Sequence, residues 1–114
     1  SKVKSIGELF KPVFTAYGIH PLWADTFNQS SIDIIENYIK NDKKAVAIGE
    51  IGVDFKYDTP LKNIQINCFK EQVKLAVDLQ LPVLIHCRRA VFKVYEILKK
   101  YWDKNIPAIM HAYS

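Results

Sequence analysis

The sequence predicts an α/β domain with a parallel sheet, and two observations support that class. Four short apolar segments alternate with four segments whose apolar residues recur at helical spacing. The short segments are almost continuously apolar, which is typical of parallel strands that helices cover on both faces. No low-complexity linker divides the 114 residues, so a single domain over 1–114 is predicted.

The first half of the chain predicts two helix–strand units. Apolar residues at helical spacing over 3–10 are followed by a β-branched and aromatic run over 13–19, which predicts a helix and then a buried strand. The spacing of Ser30 to Asp33 resembles a capping box, so a second helix is predicted to begin there. The apolar run 45–50 is the next predicted strand.

The second half of the chain repeats this order twice. Thr59-Pro60 predicts a helix start, and an apolar stripe carries that helix to about Gln80. Residues 82–86 form the third predicted strand. A helix is predicted over 91–102, and residues 107–111 form the fourth strand.

Composition and charge exclude some classes of protein. With 49% hydrophobic and 25% charged residues, the chain is not intrinsically disordered. The 16 Lys and Arg residues are scattered, so the formal charge of +4 argues only weakly for nucleic acid. Cys68 and Cys87 have no CxxC spacing, which predicts a reduced, cytoplasmic setting. No apolar stretch approaches the roughly 18 to 20 residues that cross a bilayer, so no membrane partner is predicted.

Each predicted strand ends on a side chain that can bind a metal ion. The four are His20, Glu50, His86 and His111. Because the carboxyl ends of parallel strands lie on one side of a sheet, these side chains are expected to converge there. Imidazole and carboxylate ligands suit Zn²⁺, Mn²⁺ or Fe, and a carboxylate can bridge two ions. A lone histidine at a strand end is more often structural, so it is the repetition that favours a metal site.

Short motifs around these residues carry a family resemblance. They are GIHP (18–21), GEIGVD (49–54), HCRRA (86–90) and HAYS (111–114), with Gln65, Phe69, Gln72 and Ala76 on the helix between. By these motifs, from about Phe14 onward, the chain resembles the TatD-like metal-dependent DNases, which are amidohydrolase-type TIM barrels. Tyr113 stands where the family usually has Phe.

The resemblance implies a TIM-barrel type of fold. The four strands would be the third to sixth of an eight-stranded barrel, so that 1–114 is a partial barrel domain, a half barrel of four central βα units. The HxH pair of the family's first strand and the aspartate of its last strand are not in the sequence. We therefore expect the chain to be part of a longer polypeptide. Self-association of two half barrels is the alternative way to close the sheet.

The resemblance also implies a metal centre. Glu50, His86 and His111 fall on the family's metal-ligand positions. Glu50 would bridge two divalent ions, which could be Mg²⁺, Mn²⁺ or Zn²⁺ because His and Glu ligands suit several metals.

Three further residues have implied roles around that centre, each with an alternative. Arg88 and Glu50 are the candidate catalytic residues. Arg88 would contact phosphate through its planar donor fork, or else form a salt bridge at the surface or at a helix start. His20 would line the substrate side of the pocket. Asp54 would orient a ligand or a water, or else cap its loop.

The function implied is metal-dependent cleavage of DNA phosphodiester bonds, with exonuclease action at strand ends. Trp23 and Tyr57 could stack on unpaired bases, or anchor their loops by packing. Two alternatives remain open at this point: a hydrolase of a small amide, lactone or cyclic substrate, and a half barrel that binds a partner or an ion without chemistry. Without the HxH pair and the last aspartate, the chain by itself is expected to show weak or no turnover.

Overall fold

The four apolar runs form one parallel sheet whose strands follow the order of the chain. A computed structural model describes residues 14–113, so the helix predicted over 3–10 lies outside the described residues. The strands are β1 (Thr15–Tyr17), β2 (Ala45–Asp54), β3 (Val83–Arg88) and β4 (Ala108–Tyr113). Neighbouring strands are parallel throughout, in the order β1-β2-β3-β4. The α/β prediction is confirmed.

Helices connect the strands as parallel pairing requires. They are α1 (Ser31–Lys40), α2 (Lys62–Leu79) and α3 (Val91–Tyr101). A 3₁₀ helix over Pro21–Thr26, which the sequence analysis did not predict, follows β1. Within the described part of the chain, no helix has the length and apolar composition that a membrane crossing needs.

Of two predicted helix starts, one is confirmed without its capping bond and one differs from the structure. α1 begins at Ser31 with Ser30 as its N-cap residue, as predicted. The capping box at Ser30 is wrong, because the Ser30 hydroxyl donates to Asn28 Oδ1 at 2.6 Å instead of serving α1. The helix predicted from Thr59-Pro60 begins later, with Leu61 extended immediately before it. There the side chain of Gln65 donates to the Pro60 carbonyl at 2.8 Å and holds that segment outside the helix.

The prediction that strands end on metal-competent side chains is also wrong in detail. β1 ends three residues before His20, whereas β2, β3 and β4 continue beyond Glu50, His86 and His111. The register continues with Gly52 opposite His86. Main-chain pairing does not depend on side-chain type, so a polar side chain can interrupt an apolar run without ending the strand. These side chains nevertheless occupy the carboxyl-terminal part of the sheet.

The hydrophobic core lies between the sheet and its helices. Ile48, Ile51 and Val53 of β2 and Phe69 and Val73 of α2 are all fully buried there. Burial of one such side chain stabilises a fold by about 1.5–3 kcal/mol. This packing fixes α2 against β2, the strand that carries Glu50 and Asp54.

Candidate metal centre

The sheet brings the predicted site residues together at its carboxyl-terminal side. His86 of β3 lies directly opposite His111 of β4 in the register. One potential ligand atom from each of His20, Glu50 and His86 lies within 4.8 Å of the other two. The convergence expected from the sequence is present.

Glu50 occupies the centre of this group. One carboxylate oxygen, Oε1, lies 3.7 Å from His20 Nε2, and the other, Oε2, lies 3.3 Å from His111 Nδ1. The Glu50 side chain is one third exposed, and that of His111 is 61% exposed. A carboxylate with one oxygen toward each of two rings has the geometry of a ligand that two ions could share.

Asp54 and His86 form a buried pair behind Glu50. His86 Nε2 lies 2.9 Å from Asp54 Oδ2, and both side chains are almost fully buried. Burial raises the pKa of Asp54, but the hydrogen bond with His86, the Lys56 N–H and the charge of Arg88 outweigh burial and lower it. Asp54 is therefore ionised, so His86 Nε2 carries the proton and donates it. In a neutral His86 ring, Nδ1 is then the nitrogen whose lone pair could bind a metal ion.

Asp54 makes one contact of the kind that each interpretation requires. One carboxylate oxygen accepts a hydrogen bond from the His86 ring nitrogen, which is the contact expected of a residue that orients a ligand. The other accepts the main-chain N–H of Lys56 at 3.0 Å, as a loop cap would. Asp54 thus couples the loop after β2 to the orientation of His86.

His20 is held in one tautomer by its own helix start. Pro21 begins the 3₁₀ helix, and His20 Nδ1 accepts the N–H of Leu22 at 3.1 Å. Burial, followed by the nearby His86, lowers the pKa of His20 below its ordinary 6.5, so the neutral ring is favoured. The proton of that neutral ring is on Nε2, which faces Glu50. A metal at Nε2 would break the bond to Leu22, so His20 is better suited to donate a hydrogen bond.

Arg88 ends β3 beside the buried pair. Its Nε lies 3.8 Å from Asp54 Oδ2, and its side chain is about a quarter exposed. Arg88 thus forms an ion pair, but with the buried Asp54 of β2 instead of a partner at the surface or at a helix start. The residual exposure leaves a phosphate contact sterically open.

Glycines explain how closely β2 and β3 approach around Glu50. Gly52 has φ of +151°, and a Cβ there would lie 1.8 Å from the His86 carbonyl oxygen. A Cβ at Gly49 would lie 2.6 Å from Leu84 Cβ. No side chain fits at Gly52 without displacing the His86 main chain, so these glycines have a structural reason that the sequence motif alone did not supply.

The candidate stacking residues are both at the surface. Trp23 is 66% exposed in the 3₁₀ helix after His20, and Tyr57 is 51% exposed in the loop after β2. Lys56 Nζ lies 5.4 Å from the centre of the Tyr57 ring. Their exposure argues against the alternative that they anchor loops by packing.

Two buried polar residues near the centre have no role that was predicted from the sequence. Gln65 and Gln72 are 1% and 0% exposed on the core face of α2. The signal that could have found them is a polar residue in an apolar helical stripe, because a buried amide must be hydrogen-bonded.

A parallel sheet with imidazole and carboxylate groups at its carboxyl edge defines an α/β fold with a candidate metal centre. The sequence profile of the TatD-related DNase family matches residues 1–114, and the chain belongs to this family. The family resemblance seen in the motifs is thereby confirmed.

Curated relatives of this chain are named as hydrolases and nucleases. The uncharacterized metal-dependent hydrolase YabD of Bacillus subtilis is 34% identical over 90% of this chain and 40% of its own length. The 3′-5′ ssDNA/RNA exonuclease TatD of Cronobacter sakazakii is 32% identical over 99% of this chain and 43% of its own length. The human 3′-5′ RNA nuclease TATDN2 is 35% identical over 90% of this chain and 13% of its own length. The chain thus spans about two fifths of the two bacterial relatives.

Solved structures confirm the fold class. The TatD homologue YJJV of Escherichia coli superposes with a TM-score of 0.73 and 33% identity, over 88% of this chain and 39% of that one. A TatD-family hydrolase of Entamoeba histolytica superposes with a TM-score of 0.77 and 23% identity, over 96% of this chain and 38% of that one. The four-stranded parallel sheet is consistent with part of a TIM barrel.

Proposed function

We propose that this chain supplies part of the active site of a metal-dependent phosphodiesterase that removes nucleotides from the ends of single-stranded DNA. The observation that carries the proposal is the Glu50 carboxylate, with one oxygen toward His20 and the other toward His111. The names of the curated relatives support it, because they include metal-dependent hydrolases and 3′-5′ exonucleases.

The proposed ligands are Glu50, His86 and His111, with two divalent ions, Mg²⁺, Mn²⁺ or Zn²⁺. Such ions supply a nucleophilic water at neutral pH and neutralise the charge of the phosphate. Glu50 offers both of its carboxylate oxygens. Asp54 holds the His86 ring through Nε2, so that Nδ1 faces away from the Asp54 carboxylate. We further propose that strands outside these residues complete the ligand set, since the chain spans about two fifths of its bacterial relatives.

Two side chains of the site suit a phosphate rather than an uncharged substrate. His20 can donate from Nε2, because its Nδ1 accepts from Leu22. Arg88 can present donors to nonbridging oxygens while its Nε remains beside Asp54. A small amide or lactone would need neither a cationic fork nor the formal charge of +4. The phosphodiester substrate is therefore favoured.

Single-stranded nucleic acid is the form that the surface residues suit. Exposed rings such as Trp23 and Tyr57 can stack on unpaired bases, whereas paired bases in a duplex are not accessible to them. DNA is the proposed substrate, and RNA is the competitor to test because two of the relatives have RNA in their names.

The proposed setting is the reduced cytoplasm. Cys68 and Cys87 are both free and buried. Burial raises the pKa of Cys68 to about 12, so its thiol is not a reactive thiolate at neutral pH.

The test is metal-dependent cleavage by the purified protein that contains this chain. After dialysis against a chelator, 3′-labelled and 5′-labelled single-stranded DNA and RNA oligonucleotides are offered with Mg²⁺, Mn²⁺ or Zn²⁺, with a small lactone as comparison. Stepwise loss of terminal nucleotides that needs added metal would support the proposal. Lactone hydrolysis without phosphodiester cleavage would contradict it. The 114 residues alone are expected to turn over weakly or not at all, which the same assay would show.

A further inference from the structure

The two buried glutamines of α2 contact the two segments that carry the site. Gln65 and Gln72 are seven residues apart, which is two helical turns, so both amides project from the core face of the helix. Each is less than 2% exposed. A buried amide is costly unless its donor and acceptor groups are satisfied, so the partners of these amides are informative.

Gln72 pairs with both main-chain polar groups of one residue. Its Oε1 accepts the N–H of Ile19 at 2.6 Å, and its Nε2 donates to the Ile19 carbonyl at 3.1 Å. The Nε2 also donates to the Cys68 carbonyl at 3.1 Å. Ile19 precedes His20 and lies beyond the last β1–β2 partners, Tyr17 and Ile48. The side chain of Gln72 therefore takes over where the strand ladder stops.

Gln65 does the same for the segment after β2. Its Oε1 accepts the N–H of Asp54 at 2.8 Å, and its Nε2 donates to the Pro60 carbonyl at 2.8 Å. One amide thus fixes the start and the end of the loop 54–60. Asp54 in turn holds the His86 ring at 2.9 Å.

The available space leaves these segments little freedom. A Cβ at Gly18 would lie 2.8 Å from Ile51 Cγ2 and 3.2 Å from Gln72 Oε1. The chain between β1 and His20 is therefore closely packed against both β2 and the Gln72 amide. A shift of either amide has to be followed by the main chain that it holds.

We propose that Gln72 and Gln65 are positioning residues for the metal centre: Gln72 places His20 through Ile19, and Gln65 places His86 through Asp54. The effect on metal binding rests on the proposed function. The positioning of the two histidines rests on the hydrogen bonds alone. It assigns each glutamine to one histidine.

This pairing of glutamine and histidine gives a specific test. The variants are Gln72→Met and Gln65→Met in the purified protein, with Gln29→Met, an exposed glutamine before α1, as the matched control. The measurements are the ring ¹⁵N resonances of His20 and His86 without metal, and the affinity for Mn²⁺. We expect Gln72→Met to shift the resonances of His20 more than those of His86, and Gln65→Met to do the reverse. Gln65→Met should also weaken Mn²⁺ binding about 10-fold, the scale found when the support of a metal ligand, here His86, is removed. Gln72→Met acts on His20, which is not one of the proposed ligands, and should weaken Mn²⁺ binding less.

Several outcomes would decide between positioning and simple packing. Ring resonances unchanged in both variants, or both rings shifted equally by either variant, would overturn the proposal even if thermal stability fell. If the wild-type protein binds no Mn²⁺, the proposed function fails, and the selective resonance shifts alone support or overturn the positioning role. If Gln72→Met does not fold, Gln72→Asn, which keeps an amide one methylene shorter, is judged by the same resonances.

Discussion

The two ends of the sheet each contain a carboxylate between side chains of neighbouring segments, and the two carboxylates differ in their partners. At the amino-terminal end, Asp42 accepts the hydroxyls of Thr15 and Tyr17, each at 2.7 Å, and the N–H of Lys44 at 2.9 Å. At the carboxyl-terminal end, Glu50 faces two imidazole rings at 3.3 and 3.7 Å.

The difference teaches how to separate a structural carboxylate from a functional one. The partners of Asp42 are neutral donors at ideal distances, and the hydroxyls of Thr15 and then Tyr17 lower its pKa. The partners of Glu50 are imidazole rings, a type of side chain that can bind a metal ion, and they are too far away to saturate its oxygens. Asp42 should therefore support the fold and Glu50 the activity, which the following experiments test.

The largest effect is expected from Glu50→Gln. The substitution keeps the size of the side chain but removes the charge that would hold metal ions, so cleavage of single-stranded DNA should fall by at least about 100-fold, beyond the loss typical of residues that only support a ligand. Thermal stability should not fall, because the side chain is partly exposed. Glu36→Gln, in an exposed pair with Lys40 on α1, is the matched control. Activity of Glu50→Gln within threefold of the wild type would remove Glu50 from the site.

Asp54→Asn should affect both metal binding and stability. The amide still receives the His86 ring but lacks the charge, so Mn²⁺ affinity should fall about 10-fold to 100-fold. Because the side chain is fully buried, the free energy of unfolding should also fall by about 1–3 kcal/mol. Calorimetric titration with Mn²⁺ and urea unfolding measure the two effects. An unchanged Mn²⁺ affinity would mean that His86 needs no orienting carboxylate.

Asp42→Asn should have the opposite profile to Glu50→Gln. The amide is a weaker acceptor for the Thr15 and Tyr17 hydroxyls, so the urea midpoint should fall. Cleavage per folded molecule should stay within about twofold, because the substitution is at the other end of the sheet. The pair of assays already described measures both quantities. A loss of activity as large as that of Glu50→Gln would erase the distinction between the two ends.

The smallest effect concerns acid stability. The folded pKa of Asp42 is lowered, so its contribution is complete above the ordinary value of 3.8 and is lost as the pH falls through the lowered pKa. The pKa of His20 is also lowered, so the unfolded state binds a proton first below pH 6.5 and stability begins to fall there. When the urea midpoint is plotted against pH, Asp42→Asn should reduce the slope only in the more acidic part of the plot. An unchanged slope in that acidic part would show that Asp42 does not cause the loss of stability there.

The hydrophobic pattern was enough to predict parallel strands and the convergence of the site residues. Continuous apolar runs separated by helical stripes define parallel strands, whose carboxyl ends share one side. On that basis His20, Glu50 and His86 could be predicted from the sequence to lie near one another. It could not give strand ends, because β2 pairs through Asp54 regardless of the polar side chain at Glu50.

The parts that escaped the sequence depend on three-dimensional packing. The tautomer of His20 follows from the N–H of Leu22, and the proton position on His86 follows from the charge of Asp54. The glutamines of α2 bind main-chain groups that are 11 and 53 residues away along the chain. No periodicity in a single sequence encodes such partners, although a polar residue on an apolar helix face indicates that one exists.

The order of the strands has a consequence for synthesis of the protein. Because each strand pairs with its predecessor in the chain, the sheet can grow as the polypeptide leaves the ribosome. Once β3 has emerged, Asp54 can engage His86 before β4 has left the ribosome. His111 then reaches Glu50 after the other members of the group. The strand order therefore allows the centre to assemble in the order of synthesis, from an oriented His86 to an exposed His111.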